Sequence, residues 1–138
     1  MAGYSGTPLP AKLGIKEGHQ VAILDAPDEF ERTLGKLPAR AAIRRGLAGS
    51  APLNVIVAFV KSRAGLERRL PSLRRRMAAA AGLWVAWPKK SSGVATDMTE
   101  DVVRELALPT GLVDNKVCAI DETWSGLRLV YRLRDRPR

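Results

Sequence analysis

Asn54-Val55-Ile56-Val57-Ala58-Phe59-Val60-Lys61-Ser62 decides how the rest of the chain is read. From Val55 to Val60 every residue is apolar and four of the six are β-branched. Such an unbroken run, rather than an alternating one, predicts a strand buried on both faces, as in a parallel sheet. Ser62 follows as a helix N-cap, and Leu66, Leu70, Leu73 and Met77 recur on one helical face. Arg68, Arg69, Arg74, Arg75 and Arg76 fall largely off that stripe and read as a solvated face. Pro71 is expected to kink the helix or split it. The Ala78–Ala81 run and Gly82 read as its end, and Leu83 to Trp87 as the next apolar strand. A strand, helix and strand of this kind form a right-handed crossover.

Upstream, residues 1–8 read as a flexible arm in which Thr7 caps a short helix with Pro8 at its first position. Gly14 and Gly18 bracket a turn, and Val21 to Leu24 is a second buried strand that stops at Asp25-Ala26-Pro27. A short helix over 28–35 and a weak strand over 41–44 follow. Downstream, Pro88 to Gly93 is a polar loop, 97–106 a helix, and Pro109 and Gly111 its breakers. Lys116 to Ile120 and Leu127 to Leu133 read as a closing strand pair joined through residues 121–126. Leu127, Leu129 and Tyr131 alternate imperfectly with Arg128 and Arg132, which suits an edge or half-exposed strand. Residues 134–138 read as a frayed tail. The expectation is one α/β domain over 1–138: a three-layer sandwich with a mostly parallel sheet and an antiparallel C-terminal strand.

Composition narrows the function. At 138 residues and 46% hydrophobic content, one core is expected. No apolar run reaches the ~18 residues of a membrane span, and there is no export signal, so the cytoplasm is the default compartment and no membrane partner is expected. Cys118 is the lone cysteine and His19 the lone histidine, which excludes Cys/His metal clusters and any triad needing a second histidine. Cys118 reads as a buried inert thiol and His19 as an exposed turn residue. Trp84 and Trp87, three apart on a strand, face opposite sides and read as core. The net charge of +9 favours acidic partners, whether an anionic small molecule, an acidic macromolecule or nucleic acid. An aromatic content of 5% supplies a stacking platform for single strands poorly.

Leu13-Gly14-Ile15-Lys16-Glu17-Gly18-His19-Gln20-Val21 resembles the approach to the first strand of class I methyltransferases, which bind S-adenosylmethionine. The run from Val55, through the leucine-rich helix, to Gly82-Leu83-Trp84-Val85-Ala86-Trp87-Pro88 resembles their fourth and fifth strands, and the closing strand pair fits the same topology. Across the whole chain, Phe59-Val60-Lys61-Ser62-Arg63, Trp87-Pro88-Lys89-Lys90-Ser91-Ser92-Gly93 and Asp121-Glu122-Thr123-Trp124-Ser125 resemble a small bacterial domain-of-unknown-function family. The resemblance implies a trimmed methyltransferase-like, Rossmann-like fold. It also implies where a methyltransferase would hold its cofactor, and the chain departs there. A glycine-rich turn should follow the first strand, but Asp25-Ala26-Pro27 stands in its place. The second strand should end in a carboxylate for the ribose, but Arg44 and Arg45 stand there. No cofactor is assigned by the residues.

In open parallel sheets, ligands bind at the carboxyl ends of the strands. This topology brings Asp25, then Lys61 and Ser62, then Lys89, Lys90, Ser91, Ser92 and Gly93 to that rim. Asp121 joins them if the strand before it is also parallel. Lysines, hydroxyls and a glycine suit an anion, and a following helix N-terminus would add backbone donors. The glycine and lysine spacing is not that of a Walker loop. Asp121 and Glu122 are read as capping or ion-pairing residues before any acid or base role. The leading expectation is a non-catalytic or degenerate methyltransferase-like domain binding a small anion or acidic partner at this rim. The others are an enzyme with an atypical cofactor pocket and a nucleic-acid accessory protein gripping phosphates with the arginine helix.

Overall fold

The three apolar runs become neighbouring parallel strands at the centre of a six-stranded sheet. A computed structural model describes residues 6–136. In it, β1 (Gln20–Leu24) pairs in parallel with β3 (Leu53–Phe59), and β3 in parallel with β4 (Met77–Pro88). The short β2 (Ala42–Arg45) lies parallel on the other side of β1. Beyond β4 comes β6 (Trp124–Tyr131), and at the edge β5 (Leu112–Ala119), giving the order β2-β1-β3-β4-β6-β5. β6 is antiparallel to both neighbours, so β5 runs with the parallel strands and β6 alone is reversed.

Helices cover both faces. α3 (Arg63–Arg76) and α4 (Glu100–Ala107) bury Leu66, Leu70, Leu73, Val103 and Ala107 against Ala22, Ile56, Val85, Trp87, Leu127 and Leu129. On the opposite face, α1 (Leu9–Lys12) and α2 (Phe30–Leu34), with the turn after α1, bring Leu13, Ile15, Phe30 and Leu34 against Val21, Val57, Phe59, Trp84 and Trp124. Trp84 and Trp87 thus serve opposite faces, as the strand period requires. Trp84 also donates its indole N–H to the Leu13 carbonyl at 3.0 Å, so that its one polar atom is satisfied. Among the described residues no helix is long and apolar enough to cross a membrane.

Several boundaries differ from the sequence reading, each for a physical reason. α3 is one helix with Pro71 inside it. Pro71 is exposed, so the carbonyl deprived of a helical donor faces solvent rather than the core. Ala78–Ala81 is not a helix tail: the chain turns straight into β4 at Met77, which pairs with Leu53. Arg76 is not solvated. It is buried, and its guanidinium donates to the carbonyls of Leu47 and Ala51, tying the β2–β3 connection to the end of α3. α1 starts at Leu9 with Pro8 as its cap residue and Pro10 inside its first turn, so Thr7 is not the N-cap. The second long helix starts at Glu100, where the Thr99 hydroxyl accepts from Val102 N–H at 3.1 Å. The closing pair is longer and earlier than expected, and β6 lies inside the sheet with β5 at the edge. At the C-terminal end, Leu133–Asp135 forms a 3₁₀ turn. Of the expected arm and tail, residues 1–5 and 137–138 lie outside the described residues.

Candidate functional site

The strand directions place Asp25 after β1, Lys61 and Ser62 after β3, Lys89 after β4 and Asp121 after β5, all at the carboxyl edge. Their side chains, however, are used differently. Asp25 adopts a left-handed backbone (φ 55°), which Asp tolerates better than most non-glycine residues, and its carboxylate pairs with Arg69 at 2.6 Å. The Ser62 hydroxyl accepts from Gly65 N–H at 3.0 Å as the α3 cap. Lys89 turns its ammonium away from Lys61 and donates to the Asp121 carbonyl at 2.8 Å. Asp121 accepts from the N–H groups of Thr123 and Trp124, each at 2.8 Å, which folds the β5–β6 turn. The Ser92 hydroxyl donates to the Lys89 carbonyl at 2.6 Å, and Gly93, left-handed (φ 75°), closes the same turn with N–H to Lys90 at 3.3 Å. Lys61, Lys90 and Ser91 stay exposed and have no side-chain partner among the described residues.

The expected backbone contribution from a following helix does not arise. α4 begins seven positions after Gly93 and opens with Glu100 and Asp101, which repel an anion from its first turn. The arginine helix is also largely occupied. Arg69 holds Asp25, Arg74 lies over the Tyr131 ring at 5.2 Å, and Arg76 is buried, leaving Arg68 and Arg75 facing water.

Two concavities flank the sheet. One, of about 270 Å³, sits at the carboxyl ends of β1 and β2 and is lined by Ile23, Asp25, Pro27, Asp28, Glu31 and Arg45. Arg45 pairs there with Glu31, which holds the guanidinium above its usual pKa. The other, of about 450 Å³, lies at the opposite, amino edge, between α1 and its following turn on one side and β5 and β6 on the other. Lys12, Lys16, His19, Lys116 and Arg128 line it. Lys12, Lys16 and His19 are close along the chain, but Lys116 and Arg128 come from its far end, 104 positions beyond Lys12 in the case of Lys116, so sequence reasoning missed the cleft. His19 is half-buried rather than free in a turn: its Nδ1 accepts from Lys16 N–H at 3.1 Å. Burial, then the Lys16 charge, lowers its pKa. Cys118 is half-buried rather than fully buried, and burial raises its thiol pKa against the opposing pull of Lys12 and Lys116.

No family model matches the chain, and no curated protein matches it. Solved structures do. A SAM-dependent methyltransferase from Aquifex aeolicus aligns over 86% of this chain and 85% of its own, with 12% identity and a TM-score of 0.63. Aeropyrum pernix fibrillarin, solved with natively bound S-adenosyl-L-methionine, aligns over 93% of this chain and 70% of its own, at 14% identity and a TM-score of 0.57. A TehB-like SAM-dependent methyltransferase from Corynebacterium glutamicum aligns over 95% and 91%, at 10% identity and 0.56. Identities this low carry the fold alone. The chain has a methyltransferase-like, Rossmann-type fold.

Proposed function

We propose that this chain uses a methyltransferase-like fold to bind an anion rather than to transfer a methyl group. The observation that carries the reading is at the end of β2. Arg45 stands where a class I methyltransferase would present a carboxylate to ribose hydroxyls, and its guanidinium is clasped by Glu31. A guanidinium has donors only, so it cannot accept from those hydroxyls. At the end of β1, Pro27 lacks an N–H, and the left-handed position is filled by Asp25, whose carboxylate is held by Arg69. The residues present there do not fit S-adenosylmethionine.

On this reading the anion docks at the carboxyl rim, where Lys61 and Lys90 leave the ends of adjacent parallel strands with no carboxylate on them, beside Ser91. The rim is open to solvent, so binding there is weak and salt-sensitive. The test has two arms. Calorimetric titration with S-adenosylmethionine is expected to show no binding in the micromolar range. Amide-shift mapping under a sulfate titration is expected to move residues 61–62 and 89–93, an effect lost in Lys61→Ala/Lys90→Ala. A second reading, an enzyme with an atypical cofactor pocket, is favoured by the acidic cleft beside β1 and β2. Stoichiometric micromolar binding of S-adenosylmethionine would establish it and overturn the first.

A further inference from the structure

The amino-edge cleft has features of a built site that the carboxyl rim lacks. Four cations line it, Lys12, Lys16, Lys116 and Arg128, and no carboxylate does. Two irregularities in the sheet border it. Between the Leu53–Met77 and Val55–Gly82 pairs, β4 carries extra residues opposite β3, and Asn54 and Ala78 at that bulge line the cleft. Between the Asp114–Leu129 and Lys116–Arg128 pairs, β5 carries the extra Asn115, which lines it too. Bulges re-aim side chains and interrupt pairing, and they concentrate next to functional sites. Here the Asn54 carbonyl oxygen accepts from Gln20 N–H at 2.7 Å, while its amide donors have no partner among the described residues.

Arg128 is the decisive side chain. It projects from β6 on the face opposite Leu127 and Leu129, half-buried, with no hydrogen bond or ion pair among the described residues. Its guanidinium lies over Gly82: a Cβ built there would come 2.4 Å from Arg128 Nε. Gly82 therefore has no positive-φ role here; it leaves the space in which the fork lies flat. A half-buried guanidinium without an anion has lost part of its hydration with no partner in return, and burial alone pushes its pKa down.

We infer that the cleft between α1 and the bulged strands β4 and β5 is a binding site for a phosphate-bearing small molecule, with Arg128 as its anchor. Phosphate offers the planar pair of oxygens that the guanidinium fork matches, and a diphosphate carries enough charge for the lysines around it. A cleft of about 450 Å³ is within the size of small-ligand sites, whereas a duplex needs an open face. This inference is independent of the carboxyl-rim reading and lies on the other edge of the sheet.

The test is calorimetric titration of the full chain with inorganic pyrophosphate at moderate salt. The expected result is one tight site above the weak, salt-sensitive binding of the rim, with Arg128→Gln weakening the tight site by about tenfold or more, the loss of one charge-assisted contact. Lys16→Ala, an exposed change that leaves folding intact, is expected to weaken it severalfold. Gly82→Ala removes no charge but displaces the guanidinium, and is expected to weaken binding nearly as much as Arg128→Gln. Lys61→Ala/Lys90→Ala at the other edge is expected to change nothing here. Unchanged affinity in Gly82→Ala and Arg128→Gln overturns the site, as does binding only to a single-stranded oligonucleotide that pyrophosphate fails to displace. Melting curves of each variant identify any that is unfolded, and Lys16→Ala keeps the test open if Arg128→Gln is.

Discussion

The two edges of the sheet carry similar charges and differ in whether acids accompany them. At the carboxyl edge most charged groups are partnered: Asp25 with Arg69, Arg45 with Glu31, Lys89 with the Asp121 carbonyl, leaving Lys61 and Lys90 in open water. At the amino edge cations face one cleft with no acid among its lining residues. A net charge cannot tell these situations apart. Pairing and burial can, because a paired or fully solvated charge asks for nothing more, while a half-buried unpaired one does.

Two arginines carry opposite expectations because they differ in burial and in partners. Arg76 is buried with carbonyl acceptors, and Arg128 is half-buried without any. Arg76→Ala orphans the Leu47 and Ala51 carbonyls and opens a cavity under the β2–β3 connection. It is expected to cost about 2–4 kcal/mol in urea unfolding, the largest effect here. Asp121→Ala comes next, at about 1–2 kcal/mol, because two N–H groups of the β5–β6 turn lose their acceptor. Asp121→Asn keeps the accepting oxygen and is expected to recover most of that loss, which separates hydrogen bonding from charge. Arg128→Met is expected to be neutral or stabilising by up to about 1 kcal/mol, since it removes a half-buried charge that no acid compensates. A loss of more than that from Arg128→Met would mean that the protein itself satisfies this guanidinium, and the contrast between the edges would collapse.

What the sequence reveals depends on where each signal resides. The central strands were readable because burial on both faces leaves an apolar run with no need of a partner to recognise it, as in Val21–Leu24 and Val55–Phe59. The Ser62 cap was equally local. The start of β4 was not, since Ala78–Ala81 is good helix sequence and only pairing of Met77 with Leu53 makes it strand. Arg76 read as surface because its acceptors stand 25 and 29 residues away. At the rim, topology brought the residues to one edge, but which of them stay free depends on the turns that Asp121, Ser92 and Gly93 build. The amino-edge cleft is assembled from α1, the turn before β1, β5 and β6, and its arginine is revealed by the space over Gly82. An arginine in an alternating strand carries no such mark.

The smallest expected effect is also the most local, because the chain has one histidine and it lies at the amino edge. Burial, reinforced by Lys16, depresses the His19 pKa below its ordinary 6.5 in the folded protein. The unfolded chain therefore takes up a proton first as pH falls. This contribution is fully present above 6.5 and is lost progressively below it, down to the folded value, so stability rises with pH across that window. Urea midpoints measured from about pH 5 to pH 8 are expected to show this slope in the wild type and to lose it in His19→Gln. An anion seated in the cleft would offset Lys16 and raise the folded pKa, so pyrophosphate is expected to flatten the slope in the wild type and leave His19→Gln unaffected. The carboxyl edge offers no histidine to produce such a signal. Identical pH profiles for wild type and His19→Gln would show that His19 is solvated, and the cleft would lose one of its walls.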